Sequence, residues 1–216
     1  MWIVETIELA IILLISIGLH EYAHAYVSYK LGDPTPKLQW RLTPNPLKHL
    51  DPIWFLMVFL IGFGRWKPVQ INPMYYKHPL RGEFLVAMAG PIMNLVLAII
   101  GIFVILIYAK IASISLNAIA VGTSDVAVNF WMLFSFLNIT LAIFNLIPIP
   151  PLDGFRIIKM IRWKWAQLVE KYTLYISLIF LVFILWPGST AIGNFLSNVS
   201  TWIFNVLFVI IGQLFY

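Results

Sequence analysis

The sequence predicts an all-α polytopic membrane protein with about five transmembrane helices and a Pro-rich segment that is re-entrant or membrane-associated. The 216 residues are 61% hydrophobic and only 11% charged, whereas about one-quarter of the residues in a typical soluble domain are charged. The mean hydropathy is +0.90. This composition excludes a water-soluble globule, and it excludes a disordered chain, which needs low hydrophobicity and a high net charge. We expect residues 1–216 to form a single membrane-embedded domain.

Five apolar stretches approach or exceed the ~20 residues that cross a bilayer core. They are residues 2–29, 84–109, 127–147, 172–186 with their flanks, and 200–216. A sixth stretch, 53–64, is only twelve residues long, which favours a re-entrant or interfacial segment. A chain of six spans, in which 53–64 crosses, is the alternative.

The basic residues distinguish these two topologies, because Lys and Arg in short loops stay in the cytoplasm. If 53–64 does not cross, residues 30–83 and 148–171 share one side and carry thirteen of the 14 basic residues. If it crosses, nine of the 14 basic residues lie on one side of the membrane and five on the other. The five-span topology is favoured, with the basic loops in the cytoplasm of a multi-pass cell-membrane protein. Orientation in the membrane therefore explains the net charge of +5, and we expect no nucleic-acid partner.

The first apolar helix carries the sequence His20-Glu21-Tyr22-Ala23-His24. Residues i and i+4 share a helix face, so both imidazoles can bind one Zn²⁺ while Glu21 lies beside them as a base. The chain has no cysteine, which leaves His, Asp and Glu as metal ligands. Ionisable residues deep in an apolar helix are costly and usually functional.

A catalytic zinc needs a third protein ligand, and the sequence leaves its identity open. His49 and His78 lie in basic, Pro-rich segments where we expect exposed side chains, and Glu83 and Asp125 lie at the edges of spans. Asp153 follows three prolines at the predicted cytoplasmic end of a span, the end to which both histidines also belong. Its alternative role is the N-cap of a helix over 155–163.

Three motifs together resemble the site-2 protease family of intramembrane zinc metalloproteases. They occur in the family's order: His20-Glu21-x-x-His24, Gly90-Pro91-x-x-Asn94, and Asn145-x-x-Pro148-x-Pro150-x-Leu152-Asp153-Gly154. Residues 51–73 also resemble the membrane-associated hairpin region of compact prokaryotic members. The resemblance implies one zinc per chain held by His20, His24 and Asp153, with Glu21 as catalytic acid/base. We expect the compact type, without a PDZ or CBS domain.

The expected activity is hydrolysis of a peptide bond within or near the transmembrane segment of a single-span membrane protein. The substrate helix must unwind locally, because an intact helix hides its peptide bonds. An oxyanion needs a donor besides the metal, and the amides of Asn145 and Asn94 are the candidates. Asn94 can equally pair helices. Two rival functions are a membrane zinc carrier and a catalytically silent scaffold.

Overall fold

The computed structural model describes residues 2–49, 69–185 and 190–215. All regular elements among these residues are helical. The α-helices are α1 (Trp2–Lys30), α2 (Thr35–Leu38), α3 (Pro79–Ile111), α4 (Leu116–Val121), α5 (Val126–Asn145), α6 (Asp153–Ile161), α7 (Trp163–Glu170), α8 (Thr173–Leu185) and α9 (Thr190–Gly212). Two short 3-10 turns cover Pro46–Lys48 and Pro73–Tyr75. The predicted re-entrant segment 53–64 lies outside the described residues.

The all-helical fold class is confirmed within the described ranges, but a count of five spans is not. Each of the five apolar stretches is mostly helical over its described residues. Three helices, α3, α5 and α9, are long and apolar enough to cross a membrane. Helices α7 and α8 together add a fourth candidate, although they are bent by 78° at the break between them. The prediction of a single domain stays a prediction.

The chain divides into two compact units. The first comprises Met1–Met93 and Asn145–Ile184, and it contains α1, α2, the first half of α3, and α6 to α8. The turn at Pro46–Lys48 packs on α1, where a Cβ placed on Gly18 would lie 2.4 Å from the Pro46 Cβ. Lys159 on α6 forms ion pairs with Glu83 on α3, at 3.2 Å, and with Glu170 on α7, at 2.8 Å. These contacts fix the start of α3 relative to α6.

The second unit comprises Asn94–Phe144 and Leu185–Tyr216. Its core contains aliphatic residues of α3, α4, α5 and α9, among them Ile102, Ile105, Leu106, Ile119, Ile139 and Ile211. A hydrogen bond of 2.9 Å from the Thr140 hydroxyl to that of Ser200 joins α5 to α9. Polar bonds of this kind are common between membrane helices, where apolar burial alone contributes little to association.

Candidate metal centre

One row of buried side chains on α1 is polar. Ser16, His20, His24 and Ser28 follow one another at four-residue intervals, and none is more than 6% exposed. Residues at this spacing line one helix face. Burying polar side chains costs free energy unless they find partners. This face of α1 is therefore where binding groups are expected.

His20, His24 and Asp153 place three ligand atoms within hydrogen-bond distance of one another. The Nε2 atoms of His20 and His24 are 3.0 Å apart. The Asp153 Oδ2 atom is 3.1 Å from each of these nitrogens. All three residues are buried, and the group could hold one metal ion.

The chemistry and spacing of this triangle fit zinc. Two imidazoles and a carboxylate form a typical donor set for a catalytic zinc. Ligand bonds of about 2.0–2.1 Å at tetrahedral angles put ligand atoms roughly 3.3 Å apart, close to the observed separations. Gly90 leaves room beside the nitrogens, since a Cβ at that position would lie 2.5 Å from the Nε2 atoms of both His20 and His24. His20, His24 and Asp153 are thus the residues that would hold the metal.

A backbone carbonyl orients His24. Its Nδ1 lies 2.6 Å from the Val86 carbonyl oxygen on α3. A carbonyl only accepts hydrogen bonds, so Nδ1 carries the proton and Nε2 presents its lone pair to the triangle. Such second bonds fix the tautomer and the ring orientation of metal-binding histidines. The HExxH spacing gave no sign of this partner, because Val86 lies 62 residues away in sequence.

Asp153 reaches the histidines because α6 begins at Asp153 itself. Leu152 occupies the N-cap position and makes no side-chain capping bond. The start of α6 packs tightly on the backbone that follows α5, where a Cβ on Gly154 would lie 2.2 Å from the Leu146 carbonyl oxygen. Only glycine fits there. The carboxylate of Asp153 bonds to the imidazoles, so the N-cap alternative does not describe this residue.

Glu21 lies next to the ligands on α1, and its carboxylate has a backbone partner. The Val69 N–H donates to Glu21 Oε2 over 2.9 Å. Val69 is itself buried. The sequence did not predict this contact, which joins α1 to a segment 48 residues further along the chain. One oxygen of the Glu21 carboxylate is thus held by a backbone N–H.

The two candidate amides have different surroundings. Asn145 is the last residue of α5, is half-buried and belongs to the same unit as the three ligands. Asn94 on α3 belongs to the other unit. It is 1% exposed, and neither polar atom of its side chain has a hydrogen-bond partner in the described structure.

The other candidate ligands lie outside the metal-ligand group. His78 is exposed, as predicted. The expected exposure of His49 is wrong: the side chain is fully buried, and its Nε2 donates to the Thr43 carbonyl over 3.0 Å. Burial lowers the pKa of His49. Glu83 pairs with Lys159, and Asp125 accepts a 3.0 Å bond from the Val128 N–H.

The helices and the triangle of ligands define a membrane protein with a site for one metal ion. The sequence matches Peptidase family M50 over residues 8–185, and the chain belongs to this family. The predicted resemblance to the site-2 protease family is thereby confirmed.

Curated relatives cover most of the chain. "Putative zinc metalloprotease YwhC" of Bacillus subtilis is 40% identical over 189 residues, which are 83% of this chain and 84% of YwhC. "Putative zinc metalloprotease Rip2" of Mycobacterium tuberculosis is 28% identical over 200 residues, 89% of this chain and 71% of Rip2. "Zinc metalloprotease MJ0392" of Methanocaldococcus jannaschii is 29% identical over 156 residues, 72% of this chain and 34% of MJ0392. Comparison with solved structures gives no match.

Proposed function

We propose that the chain is an intramembrane zinc metalloprotease of the site-2 type. It hydrolyses a peptide bond within or near the transmembrane segment of a single-span membrane protein, as in regulated intramembrane proteolysis. The observation that carries the proposal is the triangle of His20, His24 and Asp153 ligand atoms, with sides of 3.0–3.1 Å, beside Glu21. The names of the curated relatives support zinc as the metal.

In this mechanism the residues of the chain bind, orient and transfer protons. His20, His24 and Asp153 hold the metal, and the Val86 carbonyl keeps the His24 Nε2 lone pair available. When bound, zinc supplies Lewis-acid chemistry that polarises a peptide carbonyl and acidifies water. Glu21 accepts the proton of the attacking water and delivers it to the leaving amine, so it serves as base and then as acid. The Asn145 amide donates to the oxyanion or to the substrate backbone.

The proposed location and orientation in the membrane rest on the positions of the basic residues. We propose a multi-pass protein of the cell membrane whose active site opens toward the cytoplasm. In support, the second half of α1, which bears His20 and His24, ends at Lys30. Helix α6, which begins at Asp153, contains Arg156 and Lys159 and is followed by Arg162. Basic residues at span ends indicate the cytoplasmic side. The lipid bilayer and the substrate span are then the partners of the protein.

Incubating the detergent-purified protein with a single-span test protein, with and without a chelator, tests the proposal. We expect cleavage that the chelator abolishes and that added zinc restores. Glu21→Gln should retain zinc and lose proteolysis, whereas alanine at His20, His24 or Asp153 should reduce zinc occupancy. Reversible zinc uptake without cleavage would identify a carrier instead, and normal cleavage by Glu21→Gln would refute the mechanism.

A further inference from the structure

Asp33 is a buried carboxylate that the mechanism above does not use. It follows α1 and is fully buried. Its oxygens accept hydrogen bonds from the Ser28 hydroxyl at 2.8 Å, the Thr35 N–H at 2.9 Å and the Asn72 N–H at 2.7 Å. A buried carboxylate is tolerated only when its oxygens are satisfied in this way. Removing the charge would therefore leave several donors without a proper acceptor.

The partners of Asp33 attach a second segment of the chain to α1. We call residues 69–76 the clamp segment. Its Asn72 N–H binds Asp33 directly. Its Tyr76 hydroxyl lies 2.7 Å from the Ser28 hydroxyl. Because the Ser28 proton goes to Asp33, the Tyr76 hydroxyl donates to Ser28.

Close packing holds the far end of the clamp segment. Tyr76 is 5% exposed. A Cβ placed on Gly82 would lie 2.3 Å from the Tyr76 ring. The ring thus lies directly on the first turns of α3. Both hydrogen bonds and packing therefore fix the position of residues 72 to 76.

The near end of the clamp segment contacts the candidate catalytic base. Val69 donates its N–H to Glu21, and the backbone from Val69 to Asn72 has no helical structure. Glu21 and Ser28 are seven residues apart, about 10 Å along a helix axis. Three extended residues also span about 10 Å. Asn72 binds Asp33, which in turn binds Ser28, so the segment from Val69 to Asn72 is long enough to connect Glu21 with this anchor.

We propose that Asp33 is a positioning residue that acts on Glu21 through the clamp segment. By anchoring Asn72 and, through Ser28, Tyr76, it keeps the Val69 N–H on the Glu21 carboxylate and so fixes where that carboxylate points. The inference rests on the proposed role of Glu21 as base. Asp33 itself does not touch the ligand triangle of His20, His24 and Asp153.

Three variants test this chain of contacts: Asp33→Asn, Val69→Pro and the double variant. Asparagine keeps the size of the side chain but loses the charge and one acceptor, and proline removes the N–H that binds Glu21. Each single variant should lower kcat between about tenfold and a hundredfold, the range expected for a displaced catalytic group. The double variant should be no slower than the slower single variant, because both changes break the same linkage. Tyr76→Phe, which removes one hydroxyl, should give a smaller loss of kcat.

The readouts separate positioning from simple destabilisation. Zinc content and the midpoint of thermal unfolding are measured for each variant, and kcat is expressed per folded, zinc-loaded molecule. The matched control is Asp125→Asn, since Asp125 also accepts a backbone N–H and the Tyr108 hydroxyl but lies in the other unit. The control should keep the wild-type kcat.

Three results would overturn the inference: an unchanged kcat in Asp33→Asn, losses that multiply in the double variant, or an equal loss in the Asp125 control. If Asp33→Asn does not fold, an unchanged kcat in Tyr76→Phe and Val69→Pro has the same meaning. Failure of the proposed function is recognised separately, because the wild-type protein would then show no chelator-sensitive cleavage.

Discussion

Gly90 lies so close to His24 that a Cβ at position 90 would be 2.5 Å from the imidazole Nε2. Cβ atoms do not approach other heavy atoms this closely, so any larger residue must displace the ring. The glycine of the second sequence motif thus has a physical purpose in the structure. It provides the space in which the lone pairs of two histidines can face a metal.

Gly90→Ala should therefore weaken zinc binding. We expect a loss in zinc affinity of about 10- to 100-fold, comparable with the removal of a group that orients a metal ligand. Competition with a chromogenic chelator measures the affinity. Gly193→Ala in α9 is the matched control, since a Cβ there has nothing within 4 Å. Equal zinc affinity in both variants would contradict the role of Gly90.

Asn145→Ala should slow proteolysis while zinc is retained. Loss of one oxyanion donor typically costs about 10²–10³ in rate. The measurement is kcat with a single-span substrate, alongside the metal content. Full activity in this variant would reassign Asn145 to helix packing.

Asn94→Ala tests the second amide. The described structure gives the Asn94 side chain no hydrogen-bond partner, so its replacement breaks none of the described bonds and should not lower the unfolding midpoint by much. A loss of kcat at unchanged stability would show that Asn94 contacts substrate. A lower midpoint with normal kcat per folded molecule would show a packing role.

The ionised Asp33 carboxylate should make the stability of the folded protein depend on pH. Burial by itself raises the pKa of Asp33, but the hydrogen bonds from Thr35, Asn72 and Ser28 outweigh it and hold the pKa below the ordinary value. In the unfolded state the Asp33 carboxylate binds a proton more readily. Its contribution to the free energy of unfolding is therefore present above about pH 3.9 and is lost as the pH falls through the pKa of the folded state. The midpoints of thermal unfolding of the wild type and of Asp33→Asn should differ near neutral pH and become equal at acidic pH. A constant difference at every pH would contradict this assignment.

Cysteine labelling tests the membrane topology, and the natural chain has no cysteine to interfere. Lys48 and Lys77 are exposed and flank the segment 53–64, and Asn117 is exposed on α4. With five spans, single cysteines replacing the two lysines should react with an impermeant thiol reagent from the cytoplasmic side. A cysteine replacing Asn117 should react from the other side. Labelling of positions 48 and 77 from opposite sides would favour six spans.

Local patterns in the sequence predicted that His20, His24 and Asp153 come together, but they did not predict the contacts around this group. The i, i+4 spacing placed His20 and His24 on one helix face, and the prolines before Asp153 indicated a turn that could aim a carboxylate. The contacts of Val86 with His24 and of Val69 with Glu21 depend on tertiary packing and leave no local pattern. His49 was misjudged for the same reason, because polar surroundings in sequence do not determine burial in the fold. Hydropathy likewise predicted where the apolar helices lie but not how many of them cross the bilayer.

The helical turn of α3 from Val86 to Gly90 acts on both nitrogens of the His24 ring. The Val86 carbonyl binds Nδ1, and the missing side chain of Gly90 leaves space at Nε2. Neither contribution uses the side chain of Val86, which is fully buried and serves packing instead. A single residue inserted between 86 and 90 would rotate one contribution by about 100° relative to the other. Designers who transplant this centre into another scaffold must therefore copy the helical phase of α3 before they copy any of its side chains.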